Sequence, residues 1–76
     1  MKVKVYSTKT CPWCHKVKDL LKEKGIKYED IDVEADQKAA NEMVEKSGQM
    51  GVPVTDINGK VIVGFDKEAI EKALAG

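Results

Sequence analysis

The segment Cys11-Pro12-Trp13-Cys14 constrains this chain more than any other. Its two cysteines are the only ones among 76 residues, and they stand three positions apart. Directly before them, Val3 and Val5 alternate with Lys2 and Lys4 and lead into Tyr6, the pattern of a half-buried strand. Directly after the first cysteine comes Pro12, a residue suited to the first turn of a helix, where a missing N–H costs nothing. Val17, Leu20 and Leu21 then recur at the helical period, with Lys24 closing the stripe at the surface and Gly25 supplying a stop. The chain must therefore open as strand, loop (Ser7 to Thr10) and helix, with both thiols at the junction. The spacing lets two sulfurs meet across one helical turn.

The rest of the chain continues this alternation. Ile26 to Val33 read as a second strand, with Ile31 and Val33 on one face. A second helix over Asp36 to Ser47 would bury Ala39, Ala40, Met43 and Val44, and Gly48 would end it. Val52 to Ile57 and Lys60 to Val63 are strands joined by Asn58-Gly59, a strong hairpin signal because both residues tolerate positive φ. Gly64-Phe65 turn the chain into a last helix, N-capped by Asp66, with Ala69, Ile70, Ala73 and Leu74 inward. The order βαβαββα predicts an α/β fold: a parallel βαβ unit followed by an antiparallel hairpin, giving a four-stranded mixed sheet with helices on both faces. One domain spans residues 1–76. Lys4 would lie in the central strand, its side chain escaping at the strand end.

Size and charge narrow the function. A domain this small has a thin stability margin, yet a disulfide closing so short a loop is a poor staple. The pair is therefore better explained by chemistry than by cross-linking. Lys and Arg total 13, as do Asp and Glu, so there is no basic surface for nucleic acid. The acids Glu29, Asp30, Asp32, Glu34 and Asp36 read as a solvated edge and loop. The first residues are too short and too charged for a secretory signal, and no apolar run reaches membrane-spanning length. These features predict a cytoplasmic protein that binds neither membrane nor nucleic acid. In that compartment thiols are kept reduced and a CxxC pair is usually catalytic.

A lone CxxC after a strand reads as a redox site of the thioredoxin type. Cys11 would face the positive end of the first helix, which favours a negative sulfur. The backbone amides of Trp13 and Cys14 are the available donors to it, and Lys9, His15 and Lys16 add positive charge. Cys14, one turn deeper, would be more buried and act second. The reaction class is dithiol–disulfide exchange. Other readings of the same letters exist. Cys11-xx-Cys14-His15 matches a haem-attachment pattern, but the βα alternation is wrong for an all-helical cytochrome. A structural zinc site wants four ligands, and no other Cys or His is present. An iron–sulfur cluster shared between two chains, with Cys11 and external thiols as ligands, is the alternative function. No tightly bound cofactor or metal is expected.

Beyond the cysteines, Val52-Pro53 reads either as a trans proline opening a strand or as a cis peptide that turns the Val52 backbone towards the thiols, where it could pair with an extended substrate. Trp13 reads as a contact surface for the disulfide substrate or as helix packing. His15 reads as solvent-facing. Lys9 is a loop charge or an anchor for an anionic group, and Asp66 is an N-cap that could also meet a cationic one. Phe65 reads as core or rim packing, and Met50 as a further residue near the site.

Taken together, the Tyr6-Ser7 strand end, the Cys11-Pro12-x-Cys14 box, Val52-Pro53 and Gly64-x-Asp66 resemble the glutaredoxins over essentially the whole chain. The resemblance implies a thioredoxin-like fold of the glutaredoxin type, a cis Val52-Pro53 bond and Cys11 as nucleophile. The candidate substrate-binding residues are Lys9, Pro12, Trp13, Val52, Pro53, Gly64, Phe65 and Asp66. The implied partners are protein or low-molecular-weight disulfides, with glutathione as co-substrate or a thioredoxin-reductase-type enzyme as electron donor, acting on a monomer. Some residues depart from the family's habit. Trp13 stands where tyrosine is usual, Lys9 precedes Cys11 by two residues instead of three, and Phe65 follows Gly64 where a second glycine is common. Gly64-Phe65 is instead similar to the glutaredoxin-like redoxins that serve ribonucleotide reductase.

Overall fold

The computed structural model describes residues 2–75. Its elements follow the order β1 (Val3–Ser7), α1 (Pro12–Glu23), β2 (Glu29–Asp32), α2 (Gln37–Ser47), β3 (Val54–Ile57), β4 (Lys60–Val63) and α3 (Lys67–Leu74). The strands form one sheet in the order β2-β1-β3-β4. β1 runs parallel to β2 and antiparallel to β3, and β3 pairs antiparallel with β4. The predicted mixed sheet is thus realised, with β1 at its centre beside β3.

Strand alternation divides the core into two layers. Val3, Val5, Ile57 and Ile62 face α1 and α3, where they meet Val17, Leu20, Leu21, Ile70 and Ala73. Tyr6 and Val54 face α2 and pack on Ala39 and Met43. α1 ends as Gly25 signalled: Gly25 adopts φ 70, its N–H donates to Lys22 O at 3.0 Å, and Ile26 N–H donates to Leu21 O at 2.9 Å. This pairing satisfies carbonyls the helix leaves open. The hairpin turn carries Asn58 at φ 52 and Gly59 at φ 92, as a tight two-residue turn requires.

Several boundaries differ from expectation. Ser7 belongs to β1, paired with Asp32, because its hydroxyl finds Asp30 Oδ1 at 2.8 Å and can be buried. β2 covers only Glu29–Asp32, since Ile26 is spent on closing α1. β3 starts at Val54; Pro53 has no N–H for a ladder. Ala40 is half-buried and Val44 is 36% exposed, because α2 lies alone on its face and buries a narrower stripe. Lys4 emerges on that same face and approaches Glu42 at 3.9 Å.

The α2 face also carries a polar network. The Tyr6 hydroxyl donates to Glu42 Oε1 at 2.9 Å and accepts from Lys46 Nζ at 3.0 Å, while Lys46 also reaches Asp56 at 2.8 Å. Burial raises the Tyr6 phenol above its ordinary value, with Glu42 adding to the rise and Lys46 opposing it.

On the opposite face, Thr55 is fully buried and its hydroxyl has no hydrogen-bond partner among the described residues. An unpaired buried polar group is costly. Thr55→Val is therefore expected to stabilise the fold by about 1 kcal/mol, raising the melting temperature by about 4–8 °C in a domain of this size. Thermal denaturation followed by circular dichroism measures it; an unchanged or lower midpoint would refute the claim.

Candidate active site

Cys11 is the N-cap of α1, at φ −90 and ψ 108. Its Sγ accepts the Cys14 N–H at 3.2 Å, the bond a capping serine or aspartate oxygen makes to the third helical residue. The CPxC spacing produces this directly, because Pro12 supplies N1 and Cys14 supplies N3. The sulfur sits at the helix N-terminus, where unpaired N–H groups favour negative charge. Of the two expected donors, the Cys14 amide makes the bond and the Trp13 amide does not, among the described residues. Cys11 is half-exposed, and its Sγ lies 3.9 Å from the Val52 carbonyl oxygen.

Cys14 is fully buried. Burial, and then its contact with Cys11, push its thiol up to about 12, against smaller opposing effects from the Thr8 backbone and Lys18. The two thiols are free, and they differ in access, Cys11 half-exposed and Cys14 buried. That asymmetry is the one expected from the sequence.

A groove of about 300 Å³ opens beside Cys11, lined by Trp13, Val52, Pro53, Gly64 and Phe65. The Val52-Pro53 peptide is cis. Gly64 sits at φ 78, a conformation suited to glycine, and its N–H donates to Pro53 O at 2.8 Å. This bond ties the end of β4 to the loop before β3. Trp13 is 53% exposed and stacks on Phe65, with ring centroids 6.2 Å apart and planes inclined by 26°. Phe65 also packs against the α1/α3 layer, so it serves both as packing and as groove wall.

Five of the eight expected substrate-site residues therefore converge on one groove, and Lys9, Pro12 and Asp66 do not. Lys9 is exposed beside a separate depression of about 170 Å³ with Ser7, Thr8, Lys18, Asp30 and Asp32. Asp66 caps α3 by accepting Ala69 N–H at 3.1 Å. Pro12 and His15 are exposed on α1. Lys16 was missing from the expected contact residues: its Nζ lies 4.4 Å from the centre of the Trp13 ring, within cation–π range. The i, i+3 spacing of Trp13 and Lys16 was the available signal. A larger depression, of about 410 Å³, lies at the far end of β1 between Lys2, Lys4 and Tyr28 and contains neither cysteine. No helix among the described residues is long and apolar enough to cross a membrane.

Comparison with known proteins places this geometry in context. Residues 3–62 match the family model described as Glutaredoxin. An uncharacterized glutaredoxin-like 8.6 kDa protein in the rubredoxin operon of Clostridium pasteurianum is 50% identical over 72 residues, covering 95% of this chain and 96% of its own. The crystal structure of the thioredoxin-like protein BC3987 superposes with a TM-score of 0.89 at 33% identity, covering 95% of this chain and 99% of that one. The glutaredoxin-like NrdH-redoxin of Escherichia coli, whose structure was analysed for its thioredoxin-like activity profile, gives a TM-score of 0.86 at 25% identity over 95% of this chain and 93% of its own.

Proposed function

This chain belongs to the glutaredoxin family, and from that premise we propose that it is a thiol–disulfide oxidoreductase whose nucleophile is Cys11 and whose resolving thiol is Cys14. The observation that carries the reading is the asymmetry of the pair. Cys11 Sγ is half-exposed and held at a helix N-terminus by the Cys14 amide at 3.2 Å, beside a fully buried Cys14.

In the first step the Cys11 thiolate attacks one sulfur of a substrate disulfide. A mixed disulfide forms, and the other substrate sulfur leaves as a thiolate. Cys14 then loses its proton and attacks Cys11 Sγ. The intramolecular disulfide forms, the second substrate thiolate leaves, and two electrons have passed from the dithiol to the substrate. Burial keeps Cys14 protonated until this second step, so the first thiol reacts alone. The groove between Trp13, Val52, Pro53, Gly64 and Phe65 receives the substrate chain, with the Val52 backbone beside the reacting sulfur. The disulfide form is reduced again by glutathione or by a thioredoxin-reductase-type enzyme. The likeness to a glutaredoxin-like redoxin with a thioredoxin-like activity profile supports the second donor. A reducing compartment such as the cytoplasm suits this cycle.

Alkylation tests the assignment. Burial pushes the Cys14 thiol up to about 12, so it is protonated at pH 8, and the thiolate is the reactive form. Limiting iodoacetamide at that pH is expected to give a single adduct, located by peptide mass spectrometry on Cys11. Equal or preferential labelling of Cys14 would overturn the roles.

A further inference from the structure

We infer that Lys18 is a positioning residue for the second step of the exchange: anchored on Asp30, it holds a positive charge against the buried Cys14 as that sulfur becomes negative and attacks Cys11. The inference rests on the reading of Cys14 as the resolving thiol. That step needs a partner. Cys14 is fully buried, and a buried thiol ionises only against the loss of its water. A group that favours its charge must come from the protein.

Lys18 is the group in place. It follows Cys14 by four residues on α1, so the two share a face of the helix. The Cβ of a helical residue tilts towards the N-terminus, which carries the Lys18 stem back over the turn of Cys14. Among the described residues, its side chain is the least exposed of the ion-paired lysines, at 13% against 28% for Lys46 and more for the others. The ammonium is tied down: Nζ donates to Asp30 Oδ2 at 3.0 Å, and the other oxygen, Asp30 Oδ1, accepts the Ser7 hydroxyl at 2.8 Å. Ser7 is itself buried. β1, β2 and α1 thus each contribute one member of a fixed chain that ends on the face of Cys14. Burial dominates the Cys14 thiol and holds it neutral, and Lys18 acts in the opposite direction.

A purely structural role does not account for this arrangement. An ion pair drawn out of water adds little over apolar side chains of similar size, and the neighbouring Val17 and Leu21 show α1 supplying such side chains to the core. The charge also distinguishes the two thiols. Cys11 lies a further turn from Lys18 and is half-exposed, so solvent screens it from the ammonium. The other charged groups facing this part of α1 are His15 from the helix itself, Lys9 from the loop before it, and Asp30 and Asp32 from β2; Ser7 and Thr8 face it without charge. The Cys14 proton passes to solvent through the depression of about 170 Å³ that Thr8, Lys18 and Asp30 border. The bond between Cys11 and the substrate then breaks as the Cys11–Cys14 bond forms, and the substrate sulfur leaves as a thiolate.

The test separates the two steps within one reaction. Reduced protein is mixed with dithiobis(nitrobenzoate), an aromatic disulfide, and release of the coloured thiolate is followed by stopped flow at pH 8. One thiolate leaves when Cys11 attacks, at a rate proportional to the reagent. The other leaves when Cys14 displaces it, at a rate independent of the reagent. Losing a neighbouring opposite charge lowers the ionised fraction of a thiol about tenfold, and the stronger nucleophile that remains returns about threefold. Lys18→Met is therefore expected to slow the second phase about threefold and leave the first at the parent rate. Lys18→Arg, which keeps the charge, should restore most of the loss. Should Lys18→Met fail to fold, Lys18→Gln, which keeps a donor for Asp30 without the charge, carries the same expectation. A second phase at the parent rate in the uncharged variant overturns the inference, as do equal slowing of both phases and a Lys18→Arg protein as slow as the uncharged one. A parent with no first phase refutes Cys11 as the nucleophile instead, and a first phase without a second refutes Cys14 as the resolving thiol.

Discussion

Cys11→Ser is expected to lower disulfide reduction by about a thousandfold or more, equivalent to about 4 kcal/mol of barrier. The structure separates this chemical loss from a structural one. Serine is a preferred N-cap residue, and its hydroxyl can accept the Cys14 N–H that Cys11 Sγ now accepts at 3.2 Å. The variant should therefore fold at least as well as the parent, with an unchanged or higher melting temperature, and still fail to attack a disulfide, because a serine hydroxyl is scarcely ionised near neutral pH. Cys14→Ser divides the cycle at the other step. Cys11 still attacks, but no internal thiol resolves the product, so a one-to-one mixed disulfide should accumulate and be visible by intact mass under non-reducing conditions. Full activity in Cys11→Ser would refute the proposed mechanism. Mixed disulfides that accumulate in Cys11→Ser but not in Cys14→Ser would reverse the two roles.

The capping cysteine and its buried partner were legible in the sequence because their arrangement is local. Four consecutive residues set the cap, the proline at N1 and the amide at N3, and an alternating strand just before them sets the direction of approach. The groove was partly legible for a different reason. Val52-Pro53 and Gly64 are distant in sequence, and they were recognised by resemblance, since no periodicity reveals that Gly64 N–H closes on Pro53 O. The pairing of Trp13 with Phe65 joins the start of α1 to the segment before α3, and only tertiary packing produces it. Ala40 and Val44 were assigned to the core from helical spacing. That spacing fixes a face, whereas the width of the buried stripe depends on how many neighbours cover it, and α2 has none beside it. Lys4 shows the same limit. A lysine in a central strand reads as a misfit until Glu42 of α2 is seen opposite it.

The network around Lys46 was invisible to sequence reading, because its members come from β1, α2 and β3, and it carries the second large effect. Lys46→Met is expected to destabilise the fold by about 2 kcal/mol at neutral pH, lowering the melting temperature by about 8–16 °C. Methionine keeps the apolar stem and removes the charge that reaches Asp56 at 2.8 Å, Tyr6 at 3.0 Å and Glu42 at 3.1 Å. Asp56 has a side chain only 13% exposed and would keep just its bond from Gly59 N–H. The cost stays below that of breaking a fully buried pair, about 3–5 kcal/mol, because the Lys46 side chain is 28% exposed. The sign of the pH dependence follows from the same contacts. Burial pushes the Asp56 carboxyl upward, but the Lys46 ammonium and the Gly59 amide outweigh it and hold Asp56 below its ordinary value. Lys46 and the Tyr6 hydroxyl likewise hold Glu42 low. A carboxyl depressed in the folded state contributes stability that is present above its unfolded value, about 4, and is lost as pH falls through the folded value. Lys46, raised in the folded state by Asp56 and Tyr6, contributes stability below its unfolded value of about 10.4 that is lost at higher pH. The gap between parent and variant should therefore be widest between about pH 5 and 9 and narrow on either side. Urea denaturation of both proteins at pH 7 and at pH 2.5 measures that gap. An equal gap at the two values would refute the part assigned to the Lys46 charge.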